Sequence, residues 1–146
     1  MNHDLDDISV YACWTRLNET PEDIARRTMC FMKEFSTRIK AGPWEPLEGE
    51  WDGTEAGLVE VIKRNPVTDD DGEPIPGDGY DIFLTNHNNP LDTSFSVRAG
   101  TDRLIERIAS PCFTQKYYHS EHASAGELWD ASVHATVMAF DPAFVT

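Results

Sequence analysis

The sequence predicts an α+β domain, with a small antiparallel sheet packed against two long helices and one short helix. Two long segments carry apolar residues at helical spacing, and several short runs alternate at strand period. These segments do not follow one another in strict strand–helix–strand order, which favours an antiparallel over a parallel sheet. A length of 146 residues suits one domain spanning residues 1–146. A domain of this size buries about two thirds of its unfolded surface and needs no covalent staple.

Ile8, Val10, Ala12 and Trp14 share one side of a first strand, Ile8–Trp14. Thr20, Pro21, Glu22 and Asp23 then supply a cap, a proline at a tolerated position and two acids suited to a positive helix start. Ile24, Thr28, Phe31, Met32, Phe35 and Ile39 form the apolar face of the helix that follows, and Gly42 and Pro43 stop it. Residues 43–52 read as an ordered loop. Thr54 caps a short helix, Glu55–Arg64, with Leu58, Val61 and Ile62 inward and Asn65-Pro66 as its terminator. Thr68–Gly79 (TDDDGEPIPGDG) carries turn signals throughout. Tyr80–Thr85 and Thr93–Ala99 flank a seven-residue connection and predict a hairpin. Leu104–Cys112 fits strand or helix equally. Ser124–Phe140 is the second long helix. Its spacing predicts an inward stripe of Trp129, Val133, Val137 and Phe140, widened by Leu128, Ala131 and Ala135.

Charge is the dominant global feature. Twelve basic residues face 26 acidic ones, for a net charge of -14. Residues 41–92 hold thirteen acids against two bases, whereas residues 21–40 hold five bases against three acids. So concentrated a negative patch repels phosphate backbones and argues against direct nucleic-acid binding. It would attract a basic protein and accelerate encounter. No apolar run approaches the ~20 residues that span a bilayer. The first residues, MNHDLDDISV, are not a secretory signal, so a cytoplasmic location without membrane contact is expected. Cys13, Cys30 and Cys112 show neither CxxC nor zinc-finger spacing, and buried free thiols are the expectation.

Four constellations bear on chemistry. Asp69-Asp70-Asp71-Gly72 superficially matches a calcium loop. Aligning Gly72 with the loop glycine, however, puts Val67 at the first ligand position and Asp78 at the twelfth, so a solvated acidic tip is the better reading. His119 and His122 lack HExxH spacing and a clear third ligand, and a surface pair is the simpler account. Cys13 and Cys30 fall at core-like positions, and neither a GxSxG elbow nor a GxxxxGKS phosphate loop occurs. Trp44 and Trp51 flank a Pro- and Glu-rich stretch, where tryptophan serves either as a loop cover or as an interface anchor. No cofactor, metal site or catalytic residue is expected.

The order of elements, read with particular residues, resembles the bacterial polymorphic-toxin immunity proteins, specifically immunity protein family 52. The likeness runs from about Tyr11 to Phe144. It rests on the aromatic-ended strand YACW, the helix opening ETPEDIARR, Leu58–Ile62 before a polar Gly-containing loop, Gly79-Tyr80, Phe83-Leu84 and Asn86. Ser94-Phe95-Ser96-Val97, Gly100 and the closing Phe140-Asp141-Pro142 with Phe144 complete it. The resemblance implies an antagonist of a restriction-endonuclease-fold toxin, including effectors of type VI secretion.

The expectation is thus a non-catalytic immunity protein that binds a cognate protein toxin with a basic surface. Trp44, Trp51, Asp69, Asp70, Asp71, Glu73 and Asp78 are the candidate contact residues. The competing readings are an acidic adaptor or phage-borne inhibitor of a DNA-binding protein, and a small metal-dependent enzyme with the His119/His122 region or a carboxylate pair as its site. Nothing in the sequence sets an oligomeric state.

Overall fold

Thr20 fixes where the first helix starts. Its hydroxyl accepts the amide of Asp23 at 3.1 Å, and the Asp23 carboxylate accepts the amide of Thr20 at 3.2 Å. This reciprocal capping box satisfies two donors that the first turn leaves free. Ser124 and Glu127 repeat the device before the last helix.

The computed structural model describes residues 8–40, 43–86, 91–104, 111–120 and 124–146. In chain order the elements are β1 (Ile8–Cys13), α1 (Pro21–Ser36), β2 (Glu45–Pro46), α2 (Glu55–Lys63), β3 (Tyr80–Thr85), β4 (Leu91–Ala99), β5 (Cys112–Ser120), α3 (Ala125–Phe140) and β6 (Phe144–Val145). The strands form one sheet in the order β2-β3-β4-β5-β1-β6, with every pairing antiparallel. The fold is therefore α+β, with two long helices and one short one among the described residues.

All three helices lie on one face of the sheet. Val10, Ala12, Ile82, Leu84, Phe95, Val97, Phe113 and Tyr117 point into the core, where they meet Phe31 and Phe35 of α1, Leu58 and Ile62 of α2 and Phe140 of α3. A run of aromatic rings crosses the sheet. Trp14 stacks on Phe140 at 5.0 Å, Phe140 meets Phe113 at 5.2 Å, Phe113 meets Phe31 at 4.7 Å, and Phe31 reaches Phe95 at 4.9 Å. Such offset and edge contacts add to the burial of the rings themselves.

Four features depart from the sequence expectation. First, α3 buries only part of the predicted stripe, keeping Phe140 and the widening Leu128, Ala131 and Ala135 inward. Its inward face is Leu128, Ala131, Ser132, Ala135, Thr136, Ala139 and Phe140, while Trp129 and Val137 stay exposed and Val133 is half-buried. The small side chains at 131, 135 and 139 let α3 lie close to α1, whose own bulky rings fill the gap. Second, β5 takes a central place in the sheet although its alternation is masked. Phe113 and Tyr117 face the core, but the residue between them on that face is Gln115, which is fully buried and donates to Thr93 Oγ1 at 3.3 Å. The ambiguous stretch before β5 falls largely on residues 105–110, outside the described residues. Third, β2 and β6 are two-residue edge pairings too short for any periodic signal. Fourth, Cys13 and Cys112 sit half-buried on the face turned away from the described helices, not in the core, whereas Cys30, half-buried on α1, packs against the core as expected.

Candidate partner interface

Thr54 caps α2 by accepting the amide of Gly57 at 2.9 Å, and Asp52 in turn accepts both the hydroxyl and the amide of Thr54, at 2.7 and 3.0 Å. The hydroxyl bond is the larger cause, and the two together hold the Asp52 carboxyl below its ordinary range. Trp51 donates its indole N–H to the Thr54 carbonyl at 2.8 Å. The loop from Glu45 to Asp52 is thereby pinned against α2, and between them opens a cleft of about 620 Å³. Four carboxylates line it, Glu45, Glu50, Asp52 and Glu60, with Arg64 the single cation among the lining residues and Trp51 as an apolar wall. Arg64 Nη2 donates to the Glu50 carbonyl at 3.4 Å.

The chain leaving α2 passes directly into the acidic turn. Asp69 accepts the amides of Asp71 and Glu73 at 2.9 and 3.0 Å, and Asp69 N–H donates to the Glu73 carbonyl at 2.8 Å. Thr68 and Pro74 face each other in a bridge, so the segment is a short folded-back ribbon and not a loose tip. Its turn needs Gly72 at φ +81°, which glycine adopts without strain. Asp70, Asp71 and Glu73 are exposed at the tip. At the base, Asp78 is buried and pairs with Arg103 at 2.7 Å, while Arg103 also holds Asp102 at 2.8 Å.

The seven sequence-selected residues thus take three different positions. Asp70, Asp71 and Glu73 offer free charge. Asp69 and Asp78 spend theirs on the ribbon, one on backbone amides and the other on Arg103. Trp51 stands at the surface between two depressions, the acidic cleft and an apolar groove of about 360 Å³ that includes Met29, Met32 and Pro43. Trp44 shows an edge to that groove but is 8 % exposed, with its ring against Phe95 at 5.0 Å and Phe35 at 6.3 Å. Residue-by-residue selection missed Glu45, Glu50, Asp52 and Glu60. Their only signal was the acid density of residues 41–92, because it takes the fold to bring the α2 carboxylate beside the loop carboxylates.

Among the described residues no group of three or more His, Cys, Asp or Glu is placed to hold a metal ion. His122 lies outside the described residues, and His134, further along the chain, bonds Glu34 across the α1–α3 seam at 3.2 Å. No helix among the described residues is long and apolar enough to cross a membrane. No protein-family model matches the chain, no curated protein matches its sequence, and no solved structure matches its fold. The likeness to immunity protein family 52 therefore rests on the residues quoted for it.

Proposed function

We propose that this chain is a non-catalytic immunity protein of the cytoplasm, neutralising a cognate protein toxin by docking a basic surface of that toxin on its α2 flank. The observation that carries the reading is the cleft beside Trp51. Four carboxylates surround one arginine there, and the chain continues from α2 into a ribbon tipped by three more free acids. A toxin that cuts nucleic acid needs a basic cleft to hold phosphates. A pre-organised acidic surface competes for that cleft and steers association over long range. Trp51 supplies the rigid aromatic anchor that charge alone lacks. The resemblance to immunity protein family 52 supports the same partner class, a restriction-endonuclease-fold toxin of the kind delivered by type VI secretion.

The test is to express the tagged chain with the product of the neighbouring open reading frame and pass the pair over an affinity column at moderate salt. A one-to-one complex, with cells rescued from the neighbour's toxicity, is the expected result. Absence of both complex and rescue overturns the immunity reading.

A further inference from the structure

On the face of the sheet turned away from the described helices, strand register aligns side chains in rows across four strands. One row runs Asp81, Arg98, Cys112, Cys13, from β3 through β4 and β5 to β1. Within it, Cys13 and Cys112 are directly opposite each other on neighbouring antiparallel strands.

The backbone hydrogen bonds set the type of this pair. The carbonyl of Cys13 accepts from Ala143 N at 2.7 Å, and Tyr11, two residues earlier, exchanges both its bonds with Thr146, at 2.7 and 2.8 Å. Cys13 thus turns its polar backbone groups toward β6, away from β5, while the amide of Trp14 points the other way, to Pro111 O at 3.3 Å. Cys13 and Cys112 therefore form a non-hydrogen-bonded pair, the kind whose Cα atoms approach to about 4.5 Å. That separation lies within the window of roughly 4.4–6.8 Å that a disulfide spans. Both thiols are partly exposed, so a small reagent can reach them.

We propose that Cys13 and Cys112 are a modification site, converted by a low-molecular-weight disulfide such as glutathione disulfide into an intramolecular cross-strand disulfide. The thiolate of Cys13 attacks one sulfur of glutathione disulfide and breaks its S–S bond, leaving a mixed disulfide on Cys13 and releasing one glutathione thiolate. Cys112 gives up its proton and attacks Cys13 Sγ. The mixed S–S bond breaks and the second glutathione thiolate departs. Two protein thiols are oxidised, one glutathione disulfide is reduced to two glutathiones, and the two protons go to the released thiolates. Burial raises both protein thiols and pushes that of Cys112 up to about 11, so Cys13 carries the larger thiolate fraction and attacks first. Arg98, next in the row, favours the Cys112 thiolate and assists the second step, while Asp81 opposes it. Burial also raises the hydroxyl of Tyr11, a further titratable neighbour of the two thiols.

The test holds the folded full chain in glutathione buffers of graded disulfide-to-thiol ratio, then blocks free thiols and maps the peptides. The expected result is that free thiols fall from three to one, with the Cys13 peptide joined to the Cys112 peptide and Cys30 left free. In the Cys30→Ser chain the same treatment should leave no free thiol. Three thiols persisting in buffers that oxidise an unstructured dithiol peptide would overturn the proposal. So would a link that includes Cys30, glutathione adducts that never resolve, or a Cys13–Cys112 bond formed only after the chain is unfolded in urea.

Discussion

The indole N–H of Trp14 donates to Oε1 of Glu19 at 2.7 Å, inside the protein, and this bond ties the end of β1 to the helical layer. The other oxygen of Glu19 takes Arg27 Nε at 3.0 Å and lies 3.7 Å from Arg16 Nε. Both arginines then reach the last carbonyls of α3, Arg27 to Ala139 at 3.2 Å and Arg16 to Phe140 and to Asp141. The last turn of α3 has no basic residue of its own, so these two supply the positive charge its C-terminus favours. Glu19→Ala would strand the indole N–H and two cations at once. It should cost about 3 kcal/mol, the lower end for breaking a buried ion pair, read from urea unfolding. Glu19→Gln, which keeps an acceptor for Trp14, should cost clearly less.

Gly79 stands at φ +79°, and a Cβ there would run into the backbone of Ala99, Gly100 and Thr101. No rotamer change relieves a clash with main chain. Gly79→Ala should therefore destabilise by about 3 kcal/mol, the upper end for a strained left-handed residue. Gly72→Ala meets no neighbouring atom within 4 Å and should cost less. Denaturation midpoints of the two variants test the ordering.

Reversal of charge separates steering from scaffold. Asp69 and Asp78 hold the ribbon together, so the informative variant is Asp70→Lys, Asp71→Lys and Glu73→Lys combined, with Glu60→Lys for the cleft. Toxin association should slow by about tenfold or more at low salt and converge on the unmodified rate at high salt. Stopped-flow kinetics over a salt series checks this. Iodide quenching adds a second readout, because Trp14 and Trp44 are buried whereas Trp51 and Trp129 are accessible. Binding on the α2 flank should protect Trp51 and leave Trp129 quenchable.

Two helix starts make stability fall in acid. The Asp23 carboxyl is lowered first by the amide and then by the hydroxyl of Thr20, and Asp52 first by the hydroxyl and then by the amide of Thr54. A carboxyl whose folded value is depressed contributes stability above its unfolded value, and that contribution is lost as pH falls through the lower folded value. Stability should therefore decline below about pH 4. Thr20→Ala and Thr54→Ala should each cost about 1 kcal/mol as lost caps and move the neighbouring Asp only part of the way back toward its ordinary range, because the backbone amides of residues 20 and 54 remain. Carboxyl-resolved NMR titration reports both.

Tyr117 contributes to stability loss on the alkaline side, alongside the raised Tyr11, Cys13 and Cys112. Its hydroxyl is buried, donates to Leu128 O at 3.2 Å, and is raised by burial well above the ordinary phenol range. A group raised in the folded state leaves stability intact below its unfolded value, and stability is lost as pH rises past about 10. Tyr117→Phe should cost about 1 kcal/mol at neutral pH for the lost hydrogen bond and flatten the alkaline decline. Phenolate absorbance should show Tyr117 ionising only as the chain unfolds.

Most of the local structure was determined by the sequence alone. Thr20, Thr54 and Ser124 begin their helices because a side-chain oxygen three residues before a free amide satisfies that amide wherever it occurs. Leu58, Val61 and Ile62 face inward because their spacing matches the helical period, and the β3–β4 hairpin follows from alternation on either side of polar turn residues. The acid density of residues 41–92 was equally legible, since charge requires no fold. Tertiary structure decided which face α3 turns inward. Close approach to α1 favoured a flat surface of alanines over the larger stripe of Trp129, Val133 and Val137. It placed Gln115 in the core, where its Nε2 donates to Thr93 Oγ1, and so concealed β5 from a pattern that reads polarity as exposure. It sorted the acids into free charges and structural ones, taking Asp69 for two amides and Asp78 for Arg103. Tertiary structure also set Cys13 opposite Cys112, because strand register joins positions far apart in the chain and no local pattern encodes that pairing.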